Sequence, residues 1–146
     1  MTIRIGVYLE EWEYLRCIGI KTLEVVNNAR AWNYRFAEEE FTIKETYRHV
    51  VQAIFEDAGN WFLNESERFE ESNDTMYDLN QAIDRMIFAI SKFDDSDLNK
   101  KFTFPWGIET TYAGAIQQSL FHAIGHLGQI RERAGIHSRY RDKKKG

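Results

Sequence analysis

The chain has 146 residues, the usual size of one domain, and a single proline, so long uninterrupted helices are expected rather than a loop-rich β-sandwich. Its net charge of −4 is uneven: residues 139–146 carry five basic groups and one acidic group, or +4, which leaves −8 on the rest. This acidic body argues against nucleic acid as a partner. We expect one domain over residues 1–138 and a solvated basic tail over residues 139–146.

The N-terminal region does not resemble a targeting segment. Acidic residues at positions 10, 11 and 13 interrupt the stretch where a signal peptide would have its apolar core, and no run is long and apolar enough to span a bilayer. The single cysteine, Cys17, has no partner for an internal disulfide and is expected in the core. A cytoplasmic protein with no membrane partner is therefore expected.

Two long helices are predicted in the first half of the chain. The first runs from about Ile3 to Asn27, with apolar residues at helical spacing. The second begins near Thr42, because Thr42 followed three residues later by Glu45 is the pattern of a capping box. Its apolar stripe continues to Trp61 and gives way to the acidic run ESERFEES. The link between these helices carries three aromatic residues that are expected to pack: Trp32, Tyr34 and Phe36.

A third helix and a short extended element come next. The helix follows Asn73 or Asp74, both good capping residues, and ends by Phe93. The stretch KFTFPWGIETTY then alternates apolar and polar residues around a Pro-Trp-Gly turn. This pattern predicts a small β-hairpin or an extended arm.

The fourth helix starts at Thr110 or Thr111, either of which can cap it. It runs to about Ala134, where Gly135 is expected to end it. Four amphipathic helices in one small domain predict an all-α four-helix bundle, with the hairpin or arm before the last helix.

Three of the four histidines are candidates for a metal site. His122 and His126 are four residues apart, so both imidazoles lie on one face of the fourth helix. Helical phase puts them on the flank of the apolar stripe, and it puts His49 on the matching flank of the second helix. If these two helices are antiparallel, the three histidines lie at similar depth. His137 lies beyond the last helix and is expected to be exposed.

Spacing alone leaves two interpretations open. Three neutral imidazoles would hold a divalent ion and leave a position open for water or substrate, as in a catalytic site. Taken singly, His49 is better explained as an ordinary satisfied or half-exposed side chain than as a ligand, and a histidine pair four residues apart also occurs by chance. Spacing excludes a carboxylate di-iron centre, because the chain has no Glu-x-x-His pair, and no His-Glu-x-x-His or phosphate-binding loop is present.

The sequence indicates the residues around such a site less clearly. Glu56, two turns after His49, is a weak candidate for a catalytic group, and a solvated glutamate explains it as well. Gln129 could hydrogen-bond to His126 or simply support helix packing. Trp106 is a candidate for the lip of a cleft or for a hairpin aromatic packed on the core. Two glycines of the fourth helix are expected to permit close approach of another helix, in this chain or a partner: Gly125 and Gly128.

Three segments resemble the DinB/YfiT-like metalloenzyme family. ETYRHVVQAIFEDAGNWF is similar to that family's second helix, with a histidine near the start of an apolar run that ends in an aromatic residue. SLFHAIGHLGQIRERAG is similar to its last helix, and WGIETTYAGAI to the turn and capped start before it. The segments occur in the family's order and spacing over essentially the whole chain. Leu127 stands where the family often has a basic or aromatic residue.

The resemblance implies an up-down-down-up four-helix bundle with a long crossover after the second helix. It carries the family's metal site onto His49, His122 and His126, with zinc or nickel as the ion. It also implies a homodimer and a small-molecule substrate. Relatives include thiol S-transferases, a thiol-dependent isomerase and hydrolases, so we expect a metal-dependent transferase or hydrolase that activates a thiol or water, with a low-molecular-weight thiol as co-substrate. The alternative is a non-catalytic metal-binding or stress-related bundle protein whose metal is structural or absent.

Overall fold

The computed structural model describes residues 3–145, with side chains from 3 to 141. It is an all-α bundle with one two-stranded hairpin before the last helix, as the sequence predicts. The four helices are α1 (Ile3–Ala29), α2 (Ile43–Asp57), α3 (Thr75–Ser91) and α4 (Tyr112–Lys145). The shorter elements are a π-helical segment that continues α2 (Ala58–Leu63), a 3-10 turn (Asp97–Asn99) and strands β1 (Lys101–Thr103) and β2 (Glu109–Thr111).

Specific contacts give the direction of each helix. The start of α1 meets the end of α3, because the Ile5 amide donates to the Asp95 carboxylate, so these two helices are antiparallel. The starts of α2 and α3 meet, since the Tyr47 hydroxyl donates to the Thr75 carbonyl, so these two are parallel. A crossover over residues 64–74 joins them. Helix α4 is antiparallel to α2, because His49 lies beside His126 while Asp57, later on α2, bonds to Ser119, earlier on α4. The order is therefore up-down-down-up.

The helix starts predicted from capping patterns are confirmed. The Thr42 hydroxyl accepts from the Glu45 amide at 3.1 Å, and the Glu45 carboxylate accepts from the Thr42 amide at 3.0 Å. Asp74 caps α3 by accepting from the Tyr77 amide. The Thr111 hydroxyl accepts from the Gly114 amide and so begins α4. These bonds satisfy amides that the first turn of a helix otherwise leaves unpaired.

Arg85, on α3, binds the crossover to the helical bundle through ion pairs. Its guanidinium pairs with Glu65 at 3.4 Å and Glu67 at 2.9 Å and lies over the Phe55 ring at 4.3 Å. Gly59 makes room for this arrangement: a Cβ there would collide with the Arg85 guanidinium and lie 2.5 Å from the Glu65 carbonyl. The crossover is therefore held by charge and by a close backbone approach that only glycine allows.

The core lies between the four helices. It contains large side chains that are essentially inaccessible to water, among them Trp12, Leu15, Ile54, Met86, Ile116 and Leu127. Two expectations about burial are wrong: Cys17 is exposed, and Phe36 in the link is exposed. Trp32 and Tyr34 do pack against the core, as predicted.

The predicted end of α4 is also wrong, because the helix passes through Gly135 and continues to Lys145. Tertiary contacts extend it. The Arg141 guanidinium donates to the carbonyl of Ala29, the last residue of α1, at 2.8 Å. His137, expected to be exposed, is half-buried with its ring 5.1 Å from that of Tyr34. None of the helices within residues 3–145 has the length and apolar character needed to cross a bilayer.

Candidate metal centre

The structure brings His49, His122 and His126 together. Their ring centroids are 4.5 to 5.2 Å apart, and the Nε2 atoms of His49 and His122 are separated by 3.2 Å. One nitrogen of each ring lies within 4.8 Å of those of the other two. Among the described side chains, this is the one group of histidine, cysteine or carboxylate residues close enough to share an ion.

The separation of 3.2 Å suits a shared ion. Two nitrogens each about 2.1 Å from one metal are that far apart when the angle between them is about 100°, close to tetrahedral or octahedral values. The site is also accessible, since His49 is exposed and His122 and His126 are half-buried. The cluster can therefore hold a divalent ion and leave part of its coordination sphere facing solvent.

Burial and mutual repulsion favour the neutral form of two of these imidazoles, His49 and His122. Burial lowers the pKa of His49, and the neighbouring His126 lowers it further. Burial likewise lowers the pKa of His122, with added repulsion from His126 and His49. A neutral imidazole is the metal-binding form, because its free nitrogen keeps a lone pair. The donor set thus fits a divalent metal ion.

Gln129 orients one of the three rings. The Nδ1 of His126 lies 2.8 Å from the Oε1 of Gln129, one turn further along α4. An amide oxygen only accepts, so Nδ1 carries the hydrogen and Nε2 keeps its lone pair. Of the two roles expected for Gln129, the structure therefore supports hydrogen bonding to the histidine.

A cavity of about 260 Å³ opens beside the histidines. One wall is a row on α2 and its π-helical continuation, in steps of four residues: His49, Ala53, Asp57 and Trp61. The opposite wall comes from α4 and the hairpin turn: Gln118, Ser119, His122 and Trp106. Two of the three clustered histidines therefore face a space large enough for a small molecule.

Asp57 is the half-buried acid of this cavity. Its Oδ2 accepts a hydrogen bond from the Ser119 hydroxyl at 3.0 Å. Burial raises the pKa of Asp57 to about 7; the bond from Ser119 opposes the rise, and the charge of Glu56 adds to it. A carboxyl with such a pKa, in a cleft beside possible metal ligands, is a candidate acid–base group.

Glu56, the weak catalytic candidate from the sequence, lies elsewhere. Its carboxylate is 3.5 Å from the Phe69 amide in the crossover, and it does not line the cavity. Asp57 is not predicted from the sequence, because it does not lie at the same helical angle as His49. The cavity follows the row of every fourth residue, and such rows run obliquely around a helix.

Two tryptophans form the apolar end of the cavity. Trp106, at the hairpin turn, is 59% exposed and stacks on Phe104 with centroids 4.5 Å apart and planes 4° from parallel. Trp61 lies 6.2 Å from Trp106 and 5.3 Å from Phe104. Trp61 belongs to the π-helical segment, whose wider turn keeps it near the face of Asp57 four residues earlier. Of the two roles considered for Trp106, the structure supports the lip of the cleft.

Comparison with solved structures identifies the fold. The chain superimposes on a DinB-like protein from Bacillus subtilis with a TM-score of 0.71 and 13% identity, over 92% of each chain. A looser likeness, with a TM-score of 0.44 and 16% identity, covers 95% of this chain and 82% of a DinB family member from Shewanella denitrificans. No family model matches the sequence, and no curated protein matches it significantly. The chain has a DinB-like fold, as the resemblance in sequence implies.

Proposed function

We propose that this protein is a metal-dependent enzyme in which His49, His122 and His126 hold a divalent ion, zinc or nickel. The reaction class is attack by a thiol or a water on a small electrophilic substrate, as in a thiol S-transferase or a hydrolase. The observation that carries the proposal is the convergence of the three imidazoles at the edge of a cavity. An ion bound there would supply positive charge that favours the deprotonated, nucleophilic form of a thiol or water.

The surrounding residues support a catalytic rather than a structural site. A structural zinc site is closed by four protein ligands, whereas this cluster has three and an exposed member, His49. The residues of the cavity would bind and orient the substrate, and Gln129 would fix the ring of His126. A cytoplasmic location, a low-molecular-weight thiol as co-substrate and independence from nucleic acid remain predictions from the sequence.

We also propose that the protein is a homodimer that pairs through α1 and α4. A groove of about 650 Å³ between these helices is bordered by exposed apolar side chains, among them Val7, Tyr14, Phe121 and Ile124. The glycines of α4 fit this proposal. A Cβ at Gly125 or Gly128 would meet nothing within 4 Å, so contacts within the chain do not require either glycine.

The enzymatic proposal is tested with tag-free protein loaded with zinc or nickel and a panel of small electrophiles, with and without an added thiol. We expect turnover that His122→Ala abolishes. Turnover only with thiol would identify a transferase, and turnover without thiol would identify a hydrolase. Metal binding without turnover of any electrophile would favour the non-catalytic alternative.

A further inference from the structure

We propose that Asp57 takes up and returns the proton of the reacting molecule, and that the substrate is a small uncharged molecule with a flat apolar group that packs against Trp61 and Trp106. This inference rests on the proposed function, because it adds a proton acceptor and a substrate class to the same centre.

Asp57 lies close to the three histidines without belonging to their cluster. Ser119, which donates to Asp57, is three residues before His122 on α4, or about 5 Å along the helix axis. Asp57 is nevertheless outside the group of side chains close enough to share an ion. It therefore lies beside the histidines without being a ligand, and one small molecule in the cavity can reach both.

The surroundings of the Asp57 carboxyl group suit it to exchange protons. Its neighbours are Glu56 on the same helix, Ser119 and Gln118 on α4, and the histidines that share the cavity. No lysine or arginine lines the cavity among the described residues, so no basic side chain holds the carboxylate ionised. Burial instead raises the pKa of Asp57 to about 7, which suits a group that exchanges protons near neutral pH.

The proton transfer balances for either nucleophile. The S–H or O–H bond of the thiol or water breaks, its electron pair stays on sulfur or oxygen, and the proton forms an O–H bond with the Asp57 carboxylate. The electron pair then forms the new bond to the electrophile. The leaving group departs with its own bonding pair and receives the proton from Asp57, which returns the carboxylate to its starting state.

The lining and the size of the cavity indicate the kind of substrate that it can bind. Indole rings favour contact with flat apolar groups, and the side chains of Trp61 and Trp106 line the cavity. A cavity of about 260 Å³ admits only a small molecule. Without a lysine or arginine in its lining, the cavity gives a strongly anionic substrate no partner among the described side chains.

The test of Asp57 counts protons when a thiol binds. Benzyl mercaptan is titrated into zinc-loaded protein at about pH 8, by calorimetry in two buffers of different ionisation enthalpy. At about pH 8 Asp57 is mostly ionised before the thiol binds, and the negative charge of the bound thiolate then disfavours ionisation of the neighbouring carboxyl, which therefore keeps the thiol proton. We expect Asp57→Asn, which cannot keep that proton, to release up to about one more proton per thiol bound than wild type. Glu56→Gln, the neighbouring acid outside the cavity, should release the same number as wild type.

The outcomes separate the two proposals. Equal proton release from wild type and Asp57→Asn, with zinc and thiol bound in both, would overturn the role of Asp57 alone. A change in Glu56→Gln instead would move that role to Glu56. A wild-type protein that binds no zinc would sink both this inference and the function on which it rests.

The test of the aromatic wall compares two thiols. The ratio of the affinities for benzyl mercaptan and ethanethiol isolates the contribution of the ring. We expect Trp106→Ala to lower this ratio about fivefold, and Trp32→Ala, which removes a tryptophan outside the cavity, to leave it unchanged. An unchanged ratio in Trp106→Ala would overturn the proposed substrate class, and the affinity for ethanethiol checks that the variant is folded.

Discussion

The Nδ1 of His126 donates a hydrogen bond of 2.8 Å to the Oε1 of Gln129, and the centre of the His126 ring lies 5.2 Å from that of His49 and 4.5 Å from that of His122. Outer partners of this kind fix the tautomer and the orientation of a metal-binding histidine. Replacing the partner of His126 should therefore weaken the site without removing a ligand.

We predict that Gln129→Leu lowers the affinity for zinc about tenfold, because His126 loses its orienting acceptor. The measurement is a competition titration with a chromogenic chelator. Gln117→Leu, on the opposite side of α4 against the α1 groove, is the matched control and should bind zinc as wild type does. Equal affinities for the two variants would show that Gln129 does not support the site.

A second prediction concerns the dependence of stability on pH. The pKa of Asp57 is raised from 3.8 to about 7 in the folded protein, so folding favours the protonated form. The contribution of Asp57 to the free energy of unfolding is therefore fully present below about pH 4. It is lost as the pH rises toward 7, and it is absent above pH 7. The whole effect is about 4 kcal/mol, and Asp57→Asn should lack it.

The measurement is the free energy of unfolding of metal-free wild type and Asp57→Asn between about pH 4 and pH 8. The stability of the variant relative to wild type should rise across this range, by up to about 4 kcal/mol. The difference between the proteins matters here, since the lowered pKa values of His49 and His122 act in the opposite direction in both. A constant difference would mean that Asp57 titrates normally.

Substitution by alanine should change the stability of the protein in opposite directions at two glycines, Gly59 and Gly125. Gly59→Ala should destabilise the protein by about 2 kcal/mol, because the new Cβ collides with the Arg85 guanidinium and the Glu65 carbonyl. Gly125→Ala should stabilise the monomer by about 0.5 to 1 kcal/mol, because its Cβ meets nothing and alanine favours a helix. Denaturant unfolding at low protein concentration measures both. A neutral Gly59→Ala would contradict the tight packing of the crossover.

A substitution that introduces a charged side chain into the groove between α1 and α4 tests the proposed dimer. Phe121 is 61% exposed on that groove, and Phe88 is 54% exposed on α3, outside it. We expect wild type and Phe88→Glu to sediment as dimers, and Phe121→Glu as a monomer, because a buried unpaired carboxylate opposes association. A monomeric wild type, or a dimeric Phe121→Glu, would contradict this interface.

Much of the fold follows from local signals in the sequence. The capping residues Thr42, Asp74 and Thr111 predict where three helices begin, since each satisfies amides of its own first turn. The spacing of His122 and His126 predicts one face of α4, and the resemblance to DinB-like proteins supplies the antiparallel partner that carries His49. These features depend on residues close in sequence or on the order of the helices.

The remaining features depend on contacts between distant residues. Gly135 is a good local stop signal, but Arg141 reaches the end of α1 and His137 packs on Tyr34, so tertiary contacts extend the helix. Asp57 was not predicted because the cavity follows every fourth residue of α2 and its continuation rather than a constant helical angle. Its partner Ser119 is 62 residues away, and no local pattern relates the two.

The central claim is tested most directly by the metal content of protein purified without a histidine tag. After incubation with zinc and removal of the excess, we predict about one equivalent of zinc per chain in wild type and in His137→Ala, whose histidine lies outside the cluster. His49→Ala, His122→Ala and His126→Ala should each lose most of it. No bound zinc or nickel in wild type, or equal metal content in all four variants, would contradict the proposed centre.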